Sequence, residues 1–203
     1  RGGKGPLKVN RSRIDDNFPL FKSLIKAAAE AGIETFEDSN GYKQDGFGTF
    51  DVTIDGGIRQ GVARAYLEEI KNYQNVLIKH NTDVSKIIFE GKIAKGVEIT
   101  KGEKKEIYYA NKEVILSAGS INSPKILQLS GIGDSAILKE NGIDVVKDLP
   151  GVGKNLQDHL EIYIQHKSKR KETLFNLSTN YITQAIEGIK WFVLKKGMLT
   201  YSH

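Results

Sequence analysis

The stretch "EVILSAGSINSPKILQLSGIG", from Glu113 to Gly133, constrains the fold more than any other part of the chain. It opens as an apolar run of the kind buried inside a parallel sheet, then breaks at Ala118 and Gly119. After Asn-Ser-Pro it becomes a short helix that ends in Gly-x-Gly. Strand followed directly by helix is the repeating corner of α/β architecture. Open sheets of that class bind ligands beyond the carboxyl ends of their strands, and Ser117, Ala118 and Gly119 stand at that point with almost no side chain. Asn122 or Ser123 suits the N-cap of the following helix, with Pro124 at its first position. A tight turn packed against its own neighbours is the competing reading of the same residues.

Other elements follow from periodicity and punctuation. Residues 18–32 carry apolar side chains at Leu20, Phe21, Leu24, Ile25 and Ala28, which predicts an amphipathic helix stopped by Gly32. A glycine-rich loop follows over 33–61, long enough to be functional or to cover something. "VARAYLEEI" predicts a helix and "NVLIKHNT" a buried strand. "DVSKIIFEG", "KIAKGVEITKG" and "EKKEIYYANK" predict an antiparallel meander with turns at Glu90-Gly91 and Lys101-Gly102. Beyond the opening stretch we expect a helix at 134–141, a strand "DVVKDL", the loop "PGVGKNLQDH", an alternating strand "LEIYIQH" and a final helix near 179–194. In that last strand Glu161, Tyr163 and Gln165 would share one face, and the plain reading of Glu161 is a solvated side chain.

Composition removes several classes. There is no cysteine, so no disulfide, thiolate nucleophile or zinc–thiolate site lies in these 203 residues. No apolar run is long enough to span a bilayer, and "RGGKGP" does not open like a signal peptide. The ends read as cuts through a longer protein, since residue 1 is Arg and no finishing element follows Gly197. Lys plus Arg outnumber Asp plus Glu by 30 to 25, yet only "HKSKRK", 166–171, is a compact basic run. Without interleaved aromatic residues it reads as a solvated loop rather than a nucleic-acid platform. "LPGVGKNLQDH" lacks the third glycine of a dinucleotide fingerprint, so its glycines read as turn residues and Asn155, Gln157, Asp158 and His159 as hydrogen-bonding groups.

"SAGSINSPKILQLSGIG" resembles the second signature of the glucose-methanol-choline (GMC) flavoprotein oxidoreductases, and "LPGVGKNLQDH" follows at that family's spacing. "GPLKV", "EDSNGYKQDGFG", "RQGVARAYL", "NVLIKHNTDVSKIIFEGKIAKGVE", "LQDHLEIYIQ" and "TLFN" extend the likeness over essentially the whole chain, most strongly toward choline-oxidising members. The resemblance implies a mixed α/β fold. Part of a Rossmann-type FAD-binding domain would be joined to part of an antiparallel-sheet substrate domain. On that basis residues 1–60 would form a substrate-domain segment with its covering loop. Residues 61–158 would form an FAD-binding segment with the meander, and 159–203 would return to the substrate domain. Val84, Ser117, Ala118 and Gly119 would meet the adenine end of FAD, Glu161 would face a trimethylammonium group and His159 would stand near the substrate. The family's catalytic histidine, its first signature and its glycine-rich FAD fingerprint lie outside this sequence, so the chain alone should be inactive.

What the resemblance implies for function is oxidation of a primary alcohol to an aldehyde, choline to betaine aldehyde first among them. An uncharged alcohol is the alternative substrate, and a basic module for nucleic acid or lipid the alternative class. The implied cofactor is FAD and the candidate electron acceptor a quinone. The implied location is cytoplasmic, at a membrane if quinones are reduced, with no nucleic-acid partner. "LTYSH" matches the choline-oxidising members loosely, and Gly61 replaces the family's usual serine.

Overall fold

Three consecutive strands with glycine turns organise the middle of the chain. A computed structural model describes residues 3–11, 19–165, 167, 169, 175 and 179–200. The chain divides into two units, Ile78–Tyr163 and Arg1–Leu77 with Ile164–His203.

In the first unit β7 (Asp83–Glu90), β8 (Ile93–Lys101) and β9 (Lys104–Tyr109) form an antiparallel meander, as the sequence predicts. Gly91 and Gly102 turn it with φ of 59° and 61°, a conformation open to glycine at little cost. Val84 pairs with Ile99 and Ile87 with Val97. Ile87 and Ile99 are buried beneath α3 (Gly119–Leu129), which contributes the buried Ile126. One buried hydroxyl ties the two layers together: Ser130 Oγ donates to the Ile126 carbonyl at 2.5 Å and accepts from the Ile87 amide at 2.8 Å. The short strands β10 (Ile132–Gly133) and β11 (Lys147–Asp148) then pair in parallel. Between them α4 (Ser135–Glu140) starts on an Asp134 cap and buries Leu138 to 1% exposure.

Gly131 is the tightest point of this corner. Its φ is +84°, and a Cβ there would run into the Asp144 carbonyl oxygen and lie 2.9 Å from Val146 Cγ2. Gly131→Ala is therefore expected to cost about 3 kcal/mol through left-handed strain and overlap together. Urea unfolding checks it, with a lower midpoint at unchanged slope.

The second unit contains α1 (Pro19–Glu30) and several short pairings. β1 (Asn10–Arg11) pairs with β4 (Asp51–Val52), β2 (Thr35–Phe36) with β3 (Phe47–Gly48), and β5 (Ile54–Asp55) with β6 (Ile58–Arg59). The "VARAYLEEI" helix is a π-helical turn, Ala63–Leu67, running into α2 (Glu68–Ile70). The last long helix, α5 (Tyr181–Leu194), is capped by Asn180 Oδ1 and held by Trp191, whose Nε1 donates to the Gly57 carbonyl at 2.8 Å. Buried Glu187 accepts from the Met198 amide at 2.9 Å and fixes the chain reversal after Lys195.

Several expectations are corrected. Residues 75–82 form no strand, with Leu77 exposed and Asn81 in a left-handed conformation. Residues 113–117 and 160–165 belong to no strand, because among the described residues no neighbouring chain pairs with them. Only Lys147–Asp148 of "DVVKDL" is a strand. Helix α3 starts at Gly119, not at Ser123, so Pro124 lies inside it. Of the basic run 166–171 only Lys167 and Lys169 are described, and most of "TLFN" and "LTYSH" lies outside the described residues.

Candidate functional site

The break at Ala118-Gly119 opens onto a cavity of about 300 Å³. β7 and β8 supply Val84, Ile87 and Val97, the extended run supplies Val114 to Ala118, and α3 supplies Ile126. Val84 and Ser117 are 33 positions apart in sequence, yet the meander and α3 set them around one space. Its walls are aliphatic, with the small residues Ser117 and Ala118 among them. Such a space accepts a flat apolar heterocycle and offers backbone groups at one side.

Gly119 follows directly. Its φ is +84°, and a Cβ built on it meets no protein atom within 4 Å, so the space beside this peptide edge is unfilled by the protein's own side chains. The edge is also locally braced: the Ala118 amide donates to Ser123 Oγ at 3.0 Å, which occupies one of the free amides at the start of α3.

A second cavity of about 610 Å³ lies between α3 and the loop after β11. Ser120, Ile121, Pro124, Lys125 and Gln128 line it from the helix, and Gly153 to Gln157 from the loop. Gln128 Nε2 donates to the Val152 carbonyl at 3.3 Å, and Lys154 pairs with Asp134 at 3.0 Å, so the loop is tied once to α3 and once to the cap of α4. The Lys154 hydrogen bond, assisted by the Ala136 amide, holds the Asp134 carboxyl below the usual range. Asn155 keeps a left-handed φ of 59°. Sequence reasoning misses the helix face at Ser120, Ile121, Pro124, Lys125 and Gln128. Its spacing shows one face only once the helix start is placed at Gly119.

His159 and Glu161 line neither cavity. Both are exposed on an extended segment, where the His159 amide donates to Asp158 Oδ1 at 2.8 Å. The Tyr163 hydroxyl donates to Glu161 Oε2. That contact, with a smaller contribution from burial, raises the Tyr163 pKa above the ordinary phenol value. Among the described residues no group of three or more His, Asp or Glu could hold a metal ion, and no helix is long and apolar enough to cross a membrane.

A family model described as GMC oxidoreductase matches residues 3–161. A protein of Brucella ovis named oxygen-dependent choline dehydrogenase is 47% identical over 197 residues, covering 97% of this chain and 35% of its own length. One of the same name from Photobacterium profundum is 42% identical over 203 residues, covering all of this chain and 36% of its own. Among solved structures, an FAD-dependent oxidoreductase of Chaetomium thermophilum superposes with a TM-score of 0.89 at 34% identity, covering 98% of this chain and 35% of that one. The chain thus spans about a third of the length of the relatives it matches.

Proposed function

This chain belongs to the GMC oxidoreductase family, and on that premise we propose that it is part of an FAD-dependent enzyme that oxidises a primary alcohol to its aldehyde, choline to betaine aldehyde. The observation that carries the reading is the cavity between Val84 and the Ser117–Ala118 edge, continued by an unfilled space at Gly119. These residues fit the adenine end of FAD: aliphatic walls suit a purine face, and a peptide edge without side chains lets the ribose side approach. When bound, FAD supplies the two-electron acceptor for the hydride of the alcohol carbon. The part of this chain is to hold the nucleotide half and, through Glu161, to attract a cation on the substrate. His159 stands two residues from Glu161 as a polar neighbour of that substrate.

We read 61–158 as the flavin-facing segment and 1–60 and 159–203 as contributions to the substrate side, whereas the compact unit itself runs from Ile78 to Tyr163. No general base is assigned among these residues.

The test is direct. Full-length protein should purify with a flavin that, once released, is identified as FAD, and anaerobic choline should bleach its visible absorbance while an aldehyde accumulates. Preparations without flavin, or with flavin that only uncharged alcohols bleach, overturn the reading at the cofactor and at the substrate respectively. Oxygen uptake and quinone reduction, run side by side with choline, identify the electron acceptor.

A further inference from the structure

We propose that Tyr163 is a positioning and specificity residue, its hydroxyl orienting the Glu161 carboxylate and its ring offering a second surface to a quaternary ammonium group. This inference rests on the choline reading above. A quaternary ammonium carries no N–H, so it cannot satisfy the lone pairs of the carboxylate that faces it. Such a carboxylate needs a donor that leaves its charge intact. Lys or Arg would cancel the charge, whereas a neutral phenol does not, and among the described residues no Lys or Arg pairs with Glu161.

The geometry fits that requirement. Glu161 and Tyr163 are two positions apart, and the hydrogen bond between them brings both side chains to the same side of the chain. The hydroxyl binds Oε2, and among the described residues no donor is bound to Oε1. A phenol is protonated across the neutral range, and the bond to Glu161 moves its pKa further up, so Tyr163 acts as a donor there. Tyr163 as a residue is 80% exposed, which leaves a ring face for the cation.

The experiment uses full-length protein in four forms: wild type, Glu161→Gln, Tyr163→Phe and Tyr163→Leu. Each is assayed with choline and with its neutral isostere, in which a tert-butyl group replaces trimethylammonium. Tetramethylammonium binding is measured by calorimetry as a readout independent of turnover. Tyr163→Phe should raise the choline KM and weaken tetramethylammonium by about tenfold while kcat stays within about twofold. Tyr163→Leu should add about a further threefold through loss of the ring. The isostere should respond to neither. An unchanged choline KM in Tyr163→Phe beside a raised one in Glu161→Gln overturns the inference and leaves the choline reading standing. Equal losses on both substrates also overturn it, since they mark a general disturbance. An unchanged choline KM in Glu161→Gln refutes the choline reading itself.

Discussion

Full-length protein carrying Ala118→Leu is expected to purify with its FAD content cut at least about tenfold, because overpacking a fitted site costs roughly 1–3 kcal/mol or more. Ala118 lines the cavity of about 300 Å³, and the three added carbons would occupy space that the purine needs. The same change should leave the flavin-free fold alone. Ala118 is exposed with φ −91° and ψ 10°, which leucine adopts freely, so the apoprotein melting temperature should move little. Flavin content by absorbance, read beside apoprotein melting, separates a blocked site from a damaged fold. Full flavin retention with an unchanged spectrum would sink the assignment of this edge.

Replacing Glu161 by Gln should have the other large effect. The substitution keeps shape and removes one charge, so a cationic alcohol loses its counter-charge while a neutral one of equal size loses almost nothing. If the carboxylate is shielded from water when substrate binds, the choline KM should rise about a hundredfold, within the range for truncating one partner of a desolvated charge pair. A rise of no more than about fivefold would instead mark a pair in open solvent and overturn the role given to Tyr163, which acts through this carboxylate. Steady-state kinetics over a range of ionic strength distinguish the two, since only the solvated pair weakens strongly with added salt.

Much of the fold is legible locally. The meander is written in alternating runs punctuated by Gly91 and Gly102, and α1, α4 and α5 carry helical spacing or an Asp or Asn cap. The start of α3 is misread for a definite reason. Proline favours the first helical turn, so Pro124 invites a start at Ser123, yet the Ser123 hydroxyl reaches back to the Ala118 amide and lets the helix begin at Gly119. The segments 113–117 and 160–165 have strand-like sequences without strand pairing, because apolar alternation records a tendency to be extended and not the presence of a neighbour. Of the candidate site, the bare edge at Ser117–Gly119 is readable from residue size alone. Its meeting with Val84 depends on β7 packing beside α3, and only family likeness brings Val84 forward from sequence. The shared face of Glu161 and Tyr163 is legible in their spacing, but a hydrogen bond between them needs coordinates.

The extended run 113–117 has one more consequence. Ile115 is 77% exposed, and the run's amides and carbonyls pair with no strand among the described residues. An open row of peptide groups beside β-branched side chains is a template on which another extended chain can zip. Produced without the polypeptide that accompanies it in longer relatives, this stretch should drive self-association into sheet-rich aggregates, and a lysine in place of Ile115 should slow that clumping.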